Sequence, residues 1–107
     1  MTNPVNQLRA RPDVIRVGVA GQDVISFRVE MPEVWDVVRI DAPASTPVAM
    51  VKQRALEALF PGATDVIDFV VKFNGYEVLN EEASLGDIGV RSGSTLLLTG
   101  RHRKAVR

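Results

Sequence analysis

Over residues 68–99 the sequence leaves the chain few ways to fold. An apolar run, Phe69-Val70-Val71-Lys72-Phe73, meets Asn74-Gly75 and continues as Tyr76-Glu77-Val78. Asn-Gly between two β-prone runs is a strong hairpin signal, because both residues tolerate the positive φ of a tight turn. Alternation places Phe69, Val71 and Phe73 inward, with Val70 and Lys72 outward. The polar connection Asn80-Glu81-Glu82-Ala83 leads to Ser84, which is placed to cap a single turn holding Leu85 and Ile88. Those two side chains would plug the open side of a core. Arg91-Ser92-Gly93 then turns the chain into a last strand ending at about Thr99, with Leu96 and Leu98 inward and Leu97 outward.

Upstream, Ile25, Phe27, Val29 and Met31 alternate with Ser26, Arg28 and Glu30, the pattern of a half-buried strand. Pro32-Glu33 marks a turn. A second strand is expected over 34–41, with Val34, Val38 and Ile40 inward and Trp35, Val37 and Arg39 on the other face. The two runs read as an antiparallel hairpin. Ala42-Pro43-Ala44-Ser45 reads as a loop. Thr46 then stands as an N-cap, with Pro47 at the first helical position. The helix over about 47–59 places Val48, Val51, Ala55, Ala58 and Leu59 on one stripe, with Lys52, Gln53 and Glu57 pointing away. Lys52, Arg54 and Glu57 are expected on an ordinary solvated face. Phe60-Pro61-Gly62 stops the helix.

Residues 1–22 carry the weakest pattern. Asn3-Pro4, Arg9, Arg11 and Pro12 suggest a flexible, mildly basic lead, within which Val14-Ile15-Arg16-Val17-Gly18-Val19 alternates loosely. It reads as a tail with one sticky patch, or as an extra strand on a sheet edge or a self-association arm. At 107 residues and 46% hydrophobic content, the chain is one domain by size, able to bury a core without disulfides. The expected organisation is an N-terminal extension over 1–22, flexible or partly ordered, a domain over 23–100, and a basic tail over 101–107. The order strand, strand, helix, strand, short strand, strand (ββαββ) points to an α+β fold, a mixed sheet packed on one helix as a β-grasp.

Catalytic chemistry has little to work with. There is no Cys, hence no thiol nucleophile, thiolate metal site or disulfide, which suits a reducing cytoplasm. Nucleophilic catalysis needs a Ser, Cys or Thr beside a base, and the single His, His102, lies in the expected tail. No His/Asp/Glu cluster has metal-ligand spacing, and no cofactor motif is present. Glu81-Glu82 reads as a solvated loop pair, and Gly86, Gly89 and Gly93 as turn residues without phosphate-cradling spacing. A non-enzyme is expected. No apolar run reaches membrane-spanning length, and the N-terminus lacks a signal peptide's apolar region, so no membrane insertion is expected. Thirteen basic residues balance thirteen acidic ones, and no stacking aromatics interleave with the basic tail, so nucleic acid is not an expected partner.

From about Val24 to Arg103, three quarters of the chain, the sequence resembles ubiquitin and its relatives. The likeness lies in Thr46-Pro47-Val48-Ala49-Met50-Val51-Lys52, in Phe73-Asn74-Gly75, and most of all in Ser84-Leu85-Gly86-Asp87-Ile88-Gly89-Val90-Arg91-Ser92-Gly93-Ser94-Thr95-Leu96-Leu97-Leu98. The last of these is similar to the family's T-L-x-D-Y-x-I-x-x-x-S-T-L-x-L segment. Among bacterial relatives it looks most like the small YukD-like proteins associated with type VII secretion. The resemblance implies the β-grasp fold. It does not carry over ubiquitin's apolar patch, whose positions are here Lys72 and Thr99. It does not carry over the diglycine either, since the chain ends Arg101-His102-Arg103-Lys104-Ala105-Val106-Arg107.

Two functions compete. The first is a cytoplasmic, non-catalytic protein-interaction module, an adaptor or subunit of a larger bacterial assembly related to secretion. Its partner would meet the outward sheet face through Trp35, Arg39, Lys72, Tyr76, Leu97 and Thr99, a mixed polar and aromatic set. Trp35 reads alternatively as covering the core edge or packing against the N-terminal lead, and the face as a whole reads equally well as a solvated one. The second is a modifier precursor, cut by a peptidase after Gly100 and then taken up by an activating enzyme. On the first reading the tail, with Arg101, His102, Arg103, Lys104 and Arg107, is a disordered, acid-seeking appendage.

The expected core holds Phe27, Val29, Val38, Ile40, Val51, Ala55, Leu59, Phe69, Val71, Phe73, Leu85, Ile88, Leu96 and Leu98. Val51→Asp or Leu96→Asp should each unfold the domain, because an unpaired buried charge costs several kcal/mol against a total stability of roughly 5–15 kcal/mol. Thermal or urea denaturation checks this. A cooperative native state that survives either change nearly undiminished refutes the core assignment.

Overall fold

A computed structural model of the chain describes residues 14–18, 23–62 and 68–100. Its strands are β1 (Val14–Arg16), β2 (Val24–Met31), β3 (Asp36–Pro43), β4 (Phe69–Phe73), β5 (Tyr76–Glu77) and β6 (Thr95–Gly100). A single helix, α1, spans Val48–Leu59, and a 3₁₀ turn, Pro32–Val34, joins β2 to β3. The strands form one mixed sheet in the order β1-β3-β2-β6-β4-β5. β6 runs parallel to β2 and antiparallel to β4, so the last strand lies between the two hairpins. This is the expected α+β β-grasp. No helix among the described residues is long and apolar enough to cross a membrane.

The helix covers one sheet face, and between them Phe27, Met31, Ile40, Leu85, Leu96 and Leu98 are fully buried. The expected core residues are all in this cluster, with Phe69, Phe73 and Ile88 only partly buried at its margin. Leu85 and Ile88 plug the side, as the Ser84 cap implied. The Ser84 hydroxyl accepts from the Asp87 amide at 3.0 Å, and the Asp87 carboxylate accepts from the Ser84 amide at 3.2 Å. This reciprocal box fixes the turn.

Several expectations are corrected. The N-terminal patch is the extra edge strand: β1 lies parallel to β3, with Ile15 and Val17 buried. Gly18 ends it at φ +91°, and a Cβ there would lie 2.8 Å from the Pro43 side chain, so only glycine fits. The remainder of that lead lies outside the described residues, as does the tail 101–107. Ala42 and Pro43, read as loop, extend β3 opposite Ile25 and Val24. Val70, read as outward, is buried opposite Thr99, at the end of the sheet over which Glu33 reaches. The last strand runs through Gly100 rather than stopping at Thr99.

The helix start differs most from expectation. Pro47, not Thr46, is the N-cap, and no side chain caps the helix. The Val48 and Ala49 amides instead donate to the Ala83 and Glu81 carbonyls at 3.0 and 2.8 Å. Thr46 is buried, and its carbonyl accepts from the Leu85 amide at 2.9 Å. The orphan amides of the first turn are thus satisfied by the 81–85 loop.

Lys52 follows from the same docking. It does not face water. Its ammonium is buried and donates to both Glu81 carboxylate oxygens at 3.0 and 2.9 Å. Glu81 is therefore not a solvated loop residue, and Leu56 takes a buried place on the helix. The cost of breaking such a pair depends on which charge is left behind, and it is largest when that charge is cut off from water. Glu81→Ala should thus destabilise the domain by on the order of 3 kcal/mol, leaving Lys52 buried and unpaired. Lys52→Met should cost about 1 kcal/mol or less, because the Glu81 side chain, already 26% exposed, regains water. Urea denaturation of the two variants reads the asymmetry, and equal losses would contradict it.

Candidate functional site

The sheet face away from α1 is open, and strand register fixes which side chains share it. One row across it holds Val14, Arg39, Arg28 and Thr95. The next holds Val37, Glu30, Leu97, Lys72 and Glu77. Thr99 and Val70 follow, and the 3₁₀ turn closes that end of the face.

Trp35 does not sit on a strand. It is the residue after the 3₁₀ turn, at φ 54° and ψ 43°, with its amide donating to the Pro32 carbonyl at 3.0 Å. The indole is 94% exposed, so it neither covers the core nor packs on the described part of the N-terminal lead. A bulky side chain rarely adopts this left-handed conformation. It persists here because the Met31–Asp36 pairing of β2 and β3 closes the turn from both sides. Beside the indole lies a groove of about 350 Å³, lined by Glu30, Pro32, Trp35, Asp36 and Val37.

The other expected contact residues are only partly gathered. Leu97 and Lys72 are direct cross-strand neighbours, both half-buried, and Thr99 lies two residues further along β6. Arg39 is exposed on the same face but three strand spacings from Lys72, roughly 14 Å. Tyr76 is not on this face. It is paired with Phe73 and therefore shares the helix side of the sheet, where with Leu79 it lines a separate groove of about 390 Å³.

Gly100 is no free arm. It is paired with Phe69, and its amide donates to the Glu33 carboxylate at 2.7 Å, as does the Thr99 hydroxyl at 2.7 Å. Three residues of this face were not singled out from the sequence: Arg28, Val37 and Glu33. Alternation already put Arg28 and Val37 outward, but their neighbours follow only from the hairpin register. The reach of Glu33 to β6, 66 residues away, has no local sequence signature.

The sequence matches no family model and no curated protein. Solved structures do match. The solution structure of the ubiquitin-like domain of an Arabidopsis thaliana protein superposes with a TM-score of 0.64 at 13% identity, covering 83% of this chain and 89% of that one. A protein designed on the basis of ubiquitin gives 0.62 at 16% identity, covering 81% of this chain and 100% of that one. At such identities the likeness speaks for the backbone alone. The chain has the ubiquitin-like β-grasp fold, with β1 added at one edge of the sheet.

Proposed function

We propose that this protein is a non-catalytic protein-interaction module, an adaptor or subunit of a larger bacterial, cytoplasmic assembly of the YukD-like, secretion-related kind. It docks through the outer sheet face, with Trp35 as anchor. The observation that carries this reading is the Trp35 turn. An exposed indole, held at positive φ on a turn pinned between paired strands, presents a large apolar surface with little freedom left to lose on binding. Val37, 40% exposed, and half-buried Leu97 extend that surface along the sheet, and Glu30 and Asp36 give it a polar rim.

Conjugation through Gly100 is the competing role. It would need an activating enzyme to reach a glycine that is hydrogen-bonded inside a strand, with no flexible residues before it. Affinity capture from native cells with the full chain and its Trp35→Ala variant tests the proposal. The wild type should retain a specific partner that the variant loses by roughly tenfold or more, while the thermal transitions of the two proteins match. Intact mass of the protein from the same cells should show no species ending at Gly100. Partner recovery unaffected by the variant, or covalent adducts of the chain, would overturn the reading.

A further inference from the structure

The described residues hold eleven acidic and seven basic side chains, a net negative body, yet three of the seven basic ones meet on one end of the outer face. Arg28 and Arg39 stand directly opposite each other across the β2–β3 ladder, both exposed. Arg16, also exposed, is level with Asp41, one row along. Like charges placed directly opposite in a ladder destabilise it. None of the three forms an ion pair with a described residue. Arg28 donates to the Thr95 hydroxyl at 3.2 Å, and Asp41, in register with Arg16, accepts from the Ser26 hydroxyl at 2.6 Å rather than from a guanidinium.

The residues outside the described part are net basic as well. Outside the described residues lie two carboxylates, Asp13 and Asp65, against six arginines and lysines. An acidic segment of a partner would supply the complement. A long polyanion such as nucleic acid would meet the negative remainder of the body, and no aromatic side chain stands among the three arginines to stack a base. A short acidic stretch of protein meets only the arginines. Guanidinium forks also match carboxylates two bonds at a time.

Resting on the interaction-module reading, we infer that Arg16, Arg28 and Arg39 form a docking site for an acidic segment of a partner protein. An extended segment lying along β3 sets its carboxylates over the Arg28–Arg39 row. An apolar side chain two residues further, about 7 Å along, reaches Val37 and then the Trp35 groove. The partner motif is therefore acidic residues with an apolar residue two or so positions away, in extended conformation.

The test uses the full isotopically labelled chain, with a polyglutamate peptide carrying one Leu as probe and a single-stranded oligothymidylate of equal charge as comparison. Binding of the peptide should shift the Arg16, Arg28, Arg39 and Thr95 amide resonances, weaken with salt, and fall roughly tenfold or more in Arg28→Gln/Arg39→Gln. That variant should keep the native spectrum, because both side chains are exposed. Shifts confined to the basic tail, affinity unchanged in the double variant, or tighter binding of the oligothymidylate would each overturn the inference. Native-partner capture separates the two readings. If Trp35→Ala loses the partner while Arg28→Gln/Arg39→Gln retains it, the interaction module stands and the acidic-segment site falls.

Discussion

The sheet depends on where its last strand goes. β2 and β4 are not neighbours, and only β6, inserted between them, joins the first hairpin to the second. Its two inward leucines, Leu96 and Leu98, are fully buried, and it forms ladders with strands made some 70 and some 25 residues earlier. The turn before β6 is tied to the same neighbour: the Gly93 amide donates to the Ser26 carbonyl, and the Arg28 amide to the Ser94 carbonyl. Neither hairpin has a complete partner surface without this strand, and the longest-range pairing of the sheet, β2 with β6, runs through it.

The helix is placed by a different device. It begins without a side-chain cap, and its first amides are satisfied by carbonyls of the 81–85 loop. Such an end is only as stable as the loop that meets it. The Lys52–Glu81 pair and the Ser84–Asp87 box both hold that loop, one from the helix and one from within. Polar groups therefore fix where the helix starts, while apolar ones hold it to the sheet.

What could be read from the sequence follows the range of the forces involved. The Asn74-Gly75 turn, the alternating strands, the Ser84 turn and the inward leucines of β6 are written in neighbouring residues, and all are in the structure. The buried Lys52 was not legible, because its environment is made by Glu81, 29 residues on. Alternation alone puts Trp35 on a strand, but the 3₁₀ turn before it shifts the phase. Tyr76 lies on the helix side and not the outer face because the two-residue turn pairs it with Phe73, an inward residue. The candidate surface suffered accordingly. Its strand members Arg39, Lys72, Leu97 and Thr99 were legible as outward side chains, but their spacing and the Arg28–Arg39 encounter required the register.

Glu33 links two parts of the molecule that the chain keeps far apart. It belongs to the turn that presents Trp35, yet its carboxylate holds the Thr99 hydroxyl and the Gly100 amide. The two ends of that contact are reciprocally coupled by thermodynamic linkage. A ligand that draws the Trp35 turn off the sheet must release the end of β6, and anything that fastens the chain beyond Gly100 must, to the same degree in free energy, resist that displacement.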